Sequence, residues 1–442
     1  MRMMTYIKRI SLMALVLCTF EVVSQDILTK KEALEIALEN NYGVKVATNN
    51  VKIAENNASV YNSGFLPTIS SSAGANYNNS NQEVEFQDGT ERKVDGAETK
   101  SYNASIGLNY TLFDGLGRLY NYKQLKETYN LTELQARETI ENMYLQMFST
   151  YFQIARLSEN TDNLYEALEI SKQRLERAKY QYEYGQSTKL ELLNAEVDVN
   201  NDSINYINSK QQYFNAKRNL NIILGTEKGI AYEVETDVNF ITLLSFDELF
   251  RTAIDNNVLL RQAEQNIAIN ELNIKLSRSD YLPTLGLTTS YGWNKSVNPP
   301  TSFLAGATST GINAGLNLSW NLFDGGSTKT RVANAKIALE NQQILKDQQL
   351  EVLKNNLNNV YDSYNNALFV LQAQEKNVVT NQNNFDRSEE RYKLGQITSI
   401  EFRQAQINLL NSQTALNNAK YDAKLLELEL LRLSGELLNV DF

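Results

Sequence analysis

Two glutamates stand where a carboxylate could do more than keep a helix soluble. Glu191 and Glu401 end a string written twice, Tyr-x-x-Gly-Gln-x-Thr-x-x-Glu, from Tyr182 and from Tyr392. The glycines, Gly185 and Gly395, suit the left-handed residue that closes a helix. Thr188 and Thr398 suit N-caps of the next helix, with the glutamates as capping-box partners. Gln186 and Gln396 complete the turns. The second role open to these carboxylates is electrostatic. If symmetry-related copies meet at a narrow mouth, like charges repel, favour cations and make opening sensitive to acid.

Other chemistry finds little material. The 442 residues include no histidine, so the commonest general base and imidazole metal ligand is absent. The one cysteine is Cys18. No G-x-x-x-x-G-K-[ST] loop and no G-x-S-x-G elbow occurs. The reading is therefore not an enzyme, with no catalytic residues, no metal site and no cofactor. A net charge of -10 offers no basic surface, which argues against nucleic acid as a partner.

The elements that must position those glutamates are also written twice. Leu28 to Asn40-Asn41 returns as Leu244 to Asn256-Asn257, and Phe65-Leu66-Pro67 as Tyr281-Leu282-Pro283, both at an offset of 216. Leu112-Phe113-Asp114-Gly115 returns as Leu322-Phe323-Asp324-Gly325 at an offset of 210. The same 210 relates the two Gly-Gln turns and also Leu224-Gly225 with Ser434-Gly435. The six-residue difference falls between two strands, where loop length is free. The expected division is a first repeat, 25–225, a linker over 226–243 placed as an equatorial segment, a second repeat, 244–435, and a tail, 436–442.

Within each repeat the pattern switches period. Residues 101–112 and 311–322 alternate apolar and polar side chains, and shorter runs at 67–78 and 284–293 do the same. The polar faces carry Asn, Ser, Thr and Gly rather than Lys and Glu. Such strands fit a wall with lipid on one side and a wet lumen on the other. Residues 79–100 and 294–310 are expected to be outer loops. Four strands have open edges that hydrocarbon does not tolerate, so other copies must complete the sheet.

Helices are expected at 28–64 and 246–280, ahead of the strands. Proline-free stretches after them predict long helices over 116–184, 189–223, 328–394 and 399–433. Nearly 70 residues make a rod of about 100 Å, too long for a globule and suited to coiled-coil or helical-barrel packing. Asp114 and Asp324 are expected to cap the helices leaving the sheet, with Gly115, Gly325 and Gly326 at the corner. Pro67 and Pro283 mark the opposite corner. Arg2, Lys8 and Arg9 before the apolar run from Ile10 to Phe20 predict a signal peptide, 1–24. Lipidation of Cys18 is disfavoured because Leu17, not a small residue, precedes it.

Taken in order and in duplicate, these motifs resemble the TolC family of outer-membrane efflux proteins, and we take the chain for a Bacteroidetes-like member. The resemblance spans roughly 26–436. It implies a fold of long α-helical hairpins plus four β-strands per chain, closing a 12-stranded transmembrane β-barrel and a helical tunnel as a homotrimer. The implied partners are outer-membrane lipid, a periplasmic adaptor protein and an inner-membrane pump of RND or ABC type. The implied function is a passive exit duct for small molecules or drugs. A duct for type I protein secretion, or a structural coiled-coil envelope protein without a pore, are the alternatives. In the family, two aspartates after the second turn ring the entrance; they match Glu401 and Gln404 here, with Glu191 and Asn194 in the first repeat. Tyr392 matches the family tyrosine before that turn. The family arginine after it is replaced by Ile397, which implies a resting lock poorer in charge. Both Gly-Gln-x-Thr turns match the adaptor-docking tips.

Overall fold

The computed structural model describes residues 26–227, 229–241 and 245–440. The expected signal peptide and Cys18 lie outside them. Elements run in the order β1 (Asp26–Leu28), α1 (Lys30–Asn40), α2 (Tyr42–Asn57), β2 (Thr68–Glu85), β3 (Glu91–Asp114), α3 (Gly117–Glu183) and α4 (Lys189–Leu224). After β4 (Tyr232–Val234) the order repeats as α5 (Phe246–Asn256), α6 (Val258–Ser279), β5 (Thr284–Val297), β6 (Gly306–Ser319), α7 (Ser327–Lys393) and α8 (Ser399–Ser434). Residues group into two compact units. One comprises 47–137 and 258–352 and holds the four-stranded sheet; the other comprises the remaining described residues and is mainly helical, with β1 and β4 as its strands.

In the sheet unit, the four strands pair antiparallel in the order β2-β3-β5-β6. The first hairpin puts Thr68 opposite Asn109 and the second puts Thr284 opposite Ser319, positions that the two offsets relate. Across the sheet, Ser70, Gly107, Ser290 and Asn313 form one polar row, while Ile106, Tyr291 and Ile312 lie in register on the apolar face. That apolar face is exposed, Ile69, Ile312, Leu316 and Leu318 included.

The strands differ from expectation at both ends. The first hairpin continues through most of the expected outer loop, leaving a turn at 86–90. Its charges looked like a solvated loop, but across the hairpin they pair, as in Lys93 with Glu83 at 3.0 Å. The second hairpin likewise reaches Val297 and resumes at Gly306. In the other direction β6 stops at Ser319, so Trp320 and Leu322 fall outside the strand expected to hold them.

The two expected leading helices are each split. Asn41 ends α1 and Asn257 ends α5, both with extended ψ. In the helical unit each asparagine reaches the end of its repeat's last helix: Asn41 Nδ2 donates to Ile223 O at 2.7 Å and Asn257 Nδ2 to Leu433 O at 3.0 Å. A core of Met147, Phe148, Tyr151, Phe152, Leu220, Leu224, Tyr421 and Leu428 fills this part. The linker between the repeats is not featureless, because β4 pairs in parallel with β1. Tyr151 Oη donates to Leu28 O at 2.6 Å and accepts from Glu235 N at 2.9 Å, tying both strands to α3. Lysines satisfy linker carbonyls: Lys217 at Tyr232 and Lys424 at Asn239. Irregular backbone beside a core needs such donors.

Candidate functional site at the helical turns

Each long-helix pair reverses through the same turn, built from the same hydrogen bonds. Gly185 N donates to Tyr182 O at 3.0 Å and Gln186 N to Gln181 O at 2.7 Å; Gly395 N donates to Tyr392 O at 3.0 Å and Gln396 N to Arg391 O at 2.9 Å. These are Schellman ends, and the glycines supply the positive φ they require, +71° and +73°. Thr398 Oγ1 then accepts from Glu401 N at 3.2 Å, while Glu401 Oε2 accepts from Thr398 N at 2.8 Å, a closed capping box.

The first turn is not its copy. Thr188 Oγ1 accepts from Glu191 N at 3.4 Å, but the Glu191 carboxylate takes the Ser187 hydroxyl instead of the backbone. The expected first box is therefore half made. Ser187 offers a competing donor where the second repeat has Ile397, which packs on an aromatic cluster.

Glu401, Gln404, Glu191 and Asn194 are all exposed. Gln404 Nε2 donates to Asn408 Oδ1 at 2.8 Å. The two hydrogen bonds from Thr398, with a smaller contribution from Arg391, hold the Glu401 carboxyl below the ordinary glutamate range. Tyr392 faces inward. Its ring stacks on Phe402 at 4.9 Å, Phe402 stacks on Phe385 at 5.5 Å, and the Arg177 guanidinium lies over Tyr392 at 4.7 Å. Arg177 belongs to α3, so this contact joins the first helix pair to the second; the same residue donates to Lys393 O at 3.1 Å.

Farther along the helices lies a cluster of ion pairs. Arg403 on α8 makes a bidentate pair with Asp202 on α4, 2.7 Å at each nitrogen. Asp202 also accepts from Ser171 Oγ at 2.6 Å, and Gln406 Nε2 donates to Ala167 O at 2.7 Å. Arg174, almost fully buried, pairs with Asp198, which lies 3.6 Å from Arg403. Two arginines and two aspartates make a neutral quartet between the helix pairs. Sequence reading missed it because single charges at helical spacing look like a solvated face. The two-residue step from Glu401 to Arg403, onto the face that buries Phe402 and Gln406, was the available signal.

At the corners the capping aspartates do accept helix N–H groups. Asp114 Oδ2 takes Arg118 N at 2.9 Å and Asp324 Oδ2 takes Thr328 N at 2.7 Å. Pro67 and Pro283 directly precede β2 and β5. Among the described residues there is no cluster of acidic or thiol side chains able to hold a metal ion. No described helix is long and apolar enough to cross a membrane.

Paired helices of this length, each repeat carrying a β-hairpin that alternates apolar and polar side chains, match the fold of solved outer-membrane channels. The chain belongs to the outer membrane efflux protein family, whose match covers residues 33–226 and 249–436, one stretch for each repeat. The outer membrane protein TolC of Vibrio cholerae is 24% identical over 86% of this chain and 84% of its own length. The toluene efflux pump outer membrane protein TtgC of Pseudomonas putida is 23% identical over 87% of this chain and 78% of its own. In fold, the chain is similar to the CmeC outer membrane channel of Campylobacter jejuni, with a TM-score of 0.76 at 18% identity over 92% of this chain and 86% of that one. The protein is thus a non-catalytic outer-membrane component of an efflux or secretion system.

Proposed function

We propose that the chain is one third of a homotrimeric exit duct that carries small molecules or drugs from the cell envelope to the exterior. The observation that supports this best is the sheet. Over 68–80, 97–109, 284–296 and 307–319 its polar face is uncharged, its apolar face is exposed, and both edge strands, β2 and β6, are open. Three copies would supply twelve strands and close those edges, as hydrocarbon demands. The helical unit would stand in the periplasm, with a periplasmic adaptor protein at the tips around Gly185 and Gly395 and an inner-membrane pump of RND or ABC type supplying energy. Glu401 and Glu191, with Gln404 and Asn194 one helical turn on, would line the periplasmic mouth. The Bacteroidetes affinity stays our own reading; relatives from Vibrio and Pseudomonas at these identities do not carry it.

Native mass spectrometry of the detergent-solubilised protein tests the stoichiometry; three copies are expected, and a stable monomer contradicts the duct. Deletion of the gene then tests the cargo. Retention of small toxic compounds with normal protein secretion is expected. Loss of a secreted protein without drug sensitivity overturns the cargo in favour of type I secretion.

A further inference from the structure

A cleft of about 770 Å³ opens in the helical unit between α3, α4 and the segment that forms β4. That volume lies in the range that holds a small molecule. Four aromatic rings line it, Tyr165 from α3 and Tyr206, Tyr213 and Phe214 from α4. The duplication does not account for them. At the offset of 210 their second-repeat counterparts are Glu375, Leu416, Ala423 and Lys424, so the shared packing of the helix pairs does not require rings here. Tyr213 has a structural use, because its hydroxyl donates to Glu233 and holds β4 to α4. Tyr165 and Tyr206 serve no such tie. Their rings meet at 5.4 Å between centroids, tilted by 50°, and Tyr165 is half exposed to the cleft.

Three carboxylates stand in this cleft or beside it, and two of them have a cation. Glu233 lies 3.5 Å from Lys217 Nζ, and Glu159 accepts from Lys420 Nζ at 2.6 and 2.8 Å. Asp162 has no ion pair among the described residues. Its surroundings are acidic: burial, then the carboxylates of Glu233 and Glu159, raise its carboxyl from the ordinary aspartate value. Lys210 lines the same cleft but lies over the Tyr206 ring at 5.7 Å instead of against Asp162. The chain's own lysines show what these rings accept, since Lys217 Nζ also lies 4.1 Å from the Tyr213 centroid. An ammonium over a tyrosine face is attracted by the ring quadrupole, more strongly when water is excluded. Tyr165 carries no such cation among the described residues, and it stands one helical turn from Asp162 on the same face of α3.

We infer that this cleft binds a small organic ammonium ion with an aromatic or apolar body. The Asp162 carboxylate and the face of Tyr165 share the cation, and the body lies against Tyr206 and Phe214. The ligand supplies Asp162 with the positive charge that Glu233 and Glu159 obtain from Lys217 and Lys420. An anion of the same shape meets Asp162 and Glu233 instead, and is repelled. The site uses none of the residues assigned above to the turns or the sheet, so it stands or falls apart from the duct.

The test is calorimetric titration of the detergent-solubilised full-length protein at neutral pH, with protein-free micelles as the blank. The probes are phenethylamine, a cation, and 3-phenylpropionate, an anion of similar size. Phenethylamine is expected to bind and the acid to bind at least about tenfold more weakly, the effect of reversing one charge beside a carboxylate. Asp162→Asn should weaken the amine about tenfold, the value of one charge-assisted hydrogen bond. Tyr165→Leu keeps the apolar wall, removes the ring face and should weaken it about threefold. Glu196→Gln removes the same charge from an exposed position of α4 outside the cleft and should change nothing. No binding of the amine, or equal binding of amine and acid, overturns the site. Wild-type affinity in Asp162→Asn, or an equal loss in Glu196→Gln, overturns the assignment of the cation to Asp162.

Discussion

Four glycines end the long helix pairs in the same hydrogen-bonded motif, yet they fall into two kinds. Gly225 and Gly435 close α4 and α8 at the base of the helical unit, and a Cβ there would lie 2.3 Å from Asn40 O and 2.5 Å from Asn256 O. Gly185 and Gly395 close α3 and α7 at the tips, and nothing in the chain lies within 4 Å. At the base, glycine is needed twice over, for its positive φ and for the close backbone approach. At the tip it is needed for φ alone. The motif in the sequence is one; the constraint on it is two. A tip that serves only its own turn is a tip left free to meet another protein.

Replacing Gly225 or Gly435 by Ala should have the largest effect. Left-handed strain and overpacking together cost about 3 kcal/mol or more. Loss of folded protein, or a large fall in Tm, is the expected result; near-native melting of both variants would erase the distinction. Arg403→Ala comes next, at about 3 kcal/mol, because it leaves the Asp202 carboxylate buried without its cation. Double-mutant melting with Asp202→Ala should show strong coupling, and additive losses would mean that the two helix pairs are held by other contacts. Gly185→Ala or Gly395→Ala should cost only about 1 kcal/mol, the strain of a left-handed alanine. The bulkier Gly185→Val and Gly395→Val should leave oligomer mass unchanged but weaken adaptor binding in a pull-down. Normal adaptor binding by both would remove the tips from the interface.

The smallest effects separate the two turns from each other. Thr398→Ala removes a closed capping box and should cost about 1 kcal/mol, more than Thr188→Ala at the half-made one. Glu401 has its carboxyl held below the ordinary value by its bonds to Thr398. Its contribution is therefore complete above the ordinary glutamate pKa and is lost as pH falls through the lowered one. Melting of Glu401→Gln against wild type should differ through neutral pH and converge only in acid. A difference that disappears near neutrality would mean that the carboxyl is not held by the cap.

The sequence made the order of elements legible because the repeat doubles every signal. The alternating strands, the Gly-Gln turns and the aspartate corners each appear twice at a constant offset. What it hid depends on neighbours distant in the chain. The pairing of β4 with β1 brings together residues some 200 positions apart, in stretches only three residues long. The Arg174, Asp198, Asp202 and Arg403 quartet is spread over three helices, and no short motif announces it. The end of β6 shows the limit from the other side. Alternation through Leu322 correctly marks a strand-forming segment, but a strand needs a partner, and five residues of this one find none within the chain.

The central claim is that copies of this chain enclose a continuous passage through the outer membrane. Planar-bilayer recording of the purified oligomer tests it most directly, using wild type beside Arg403→Ala, which removes the ion pairs between the helix pairs. Discrete conductance steps are expected, longer-lived or larger in the variant, with cation preference reduced by Glu401→Gln. Intact oligomers that carry no current in either form, at neutral pH or in acid, would contradict it.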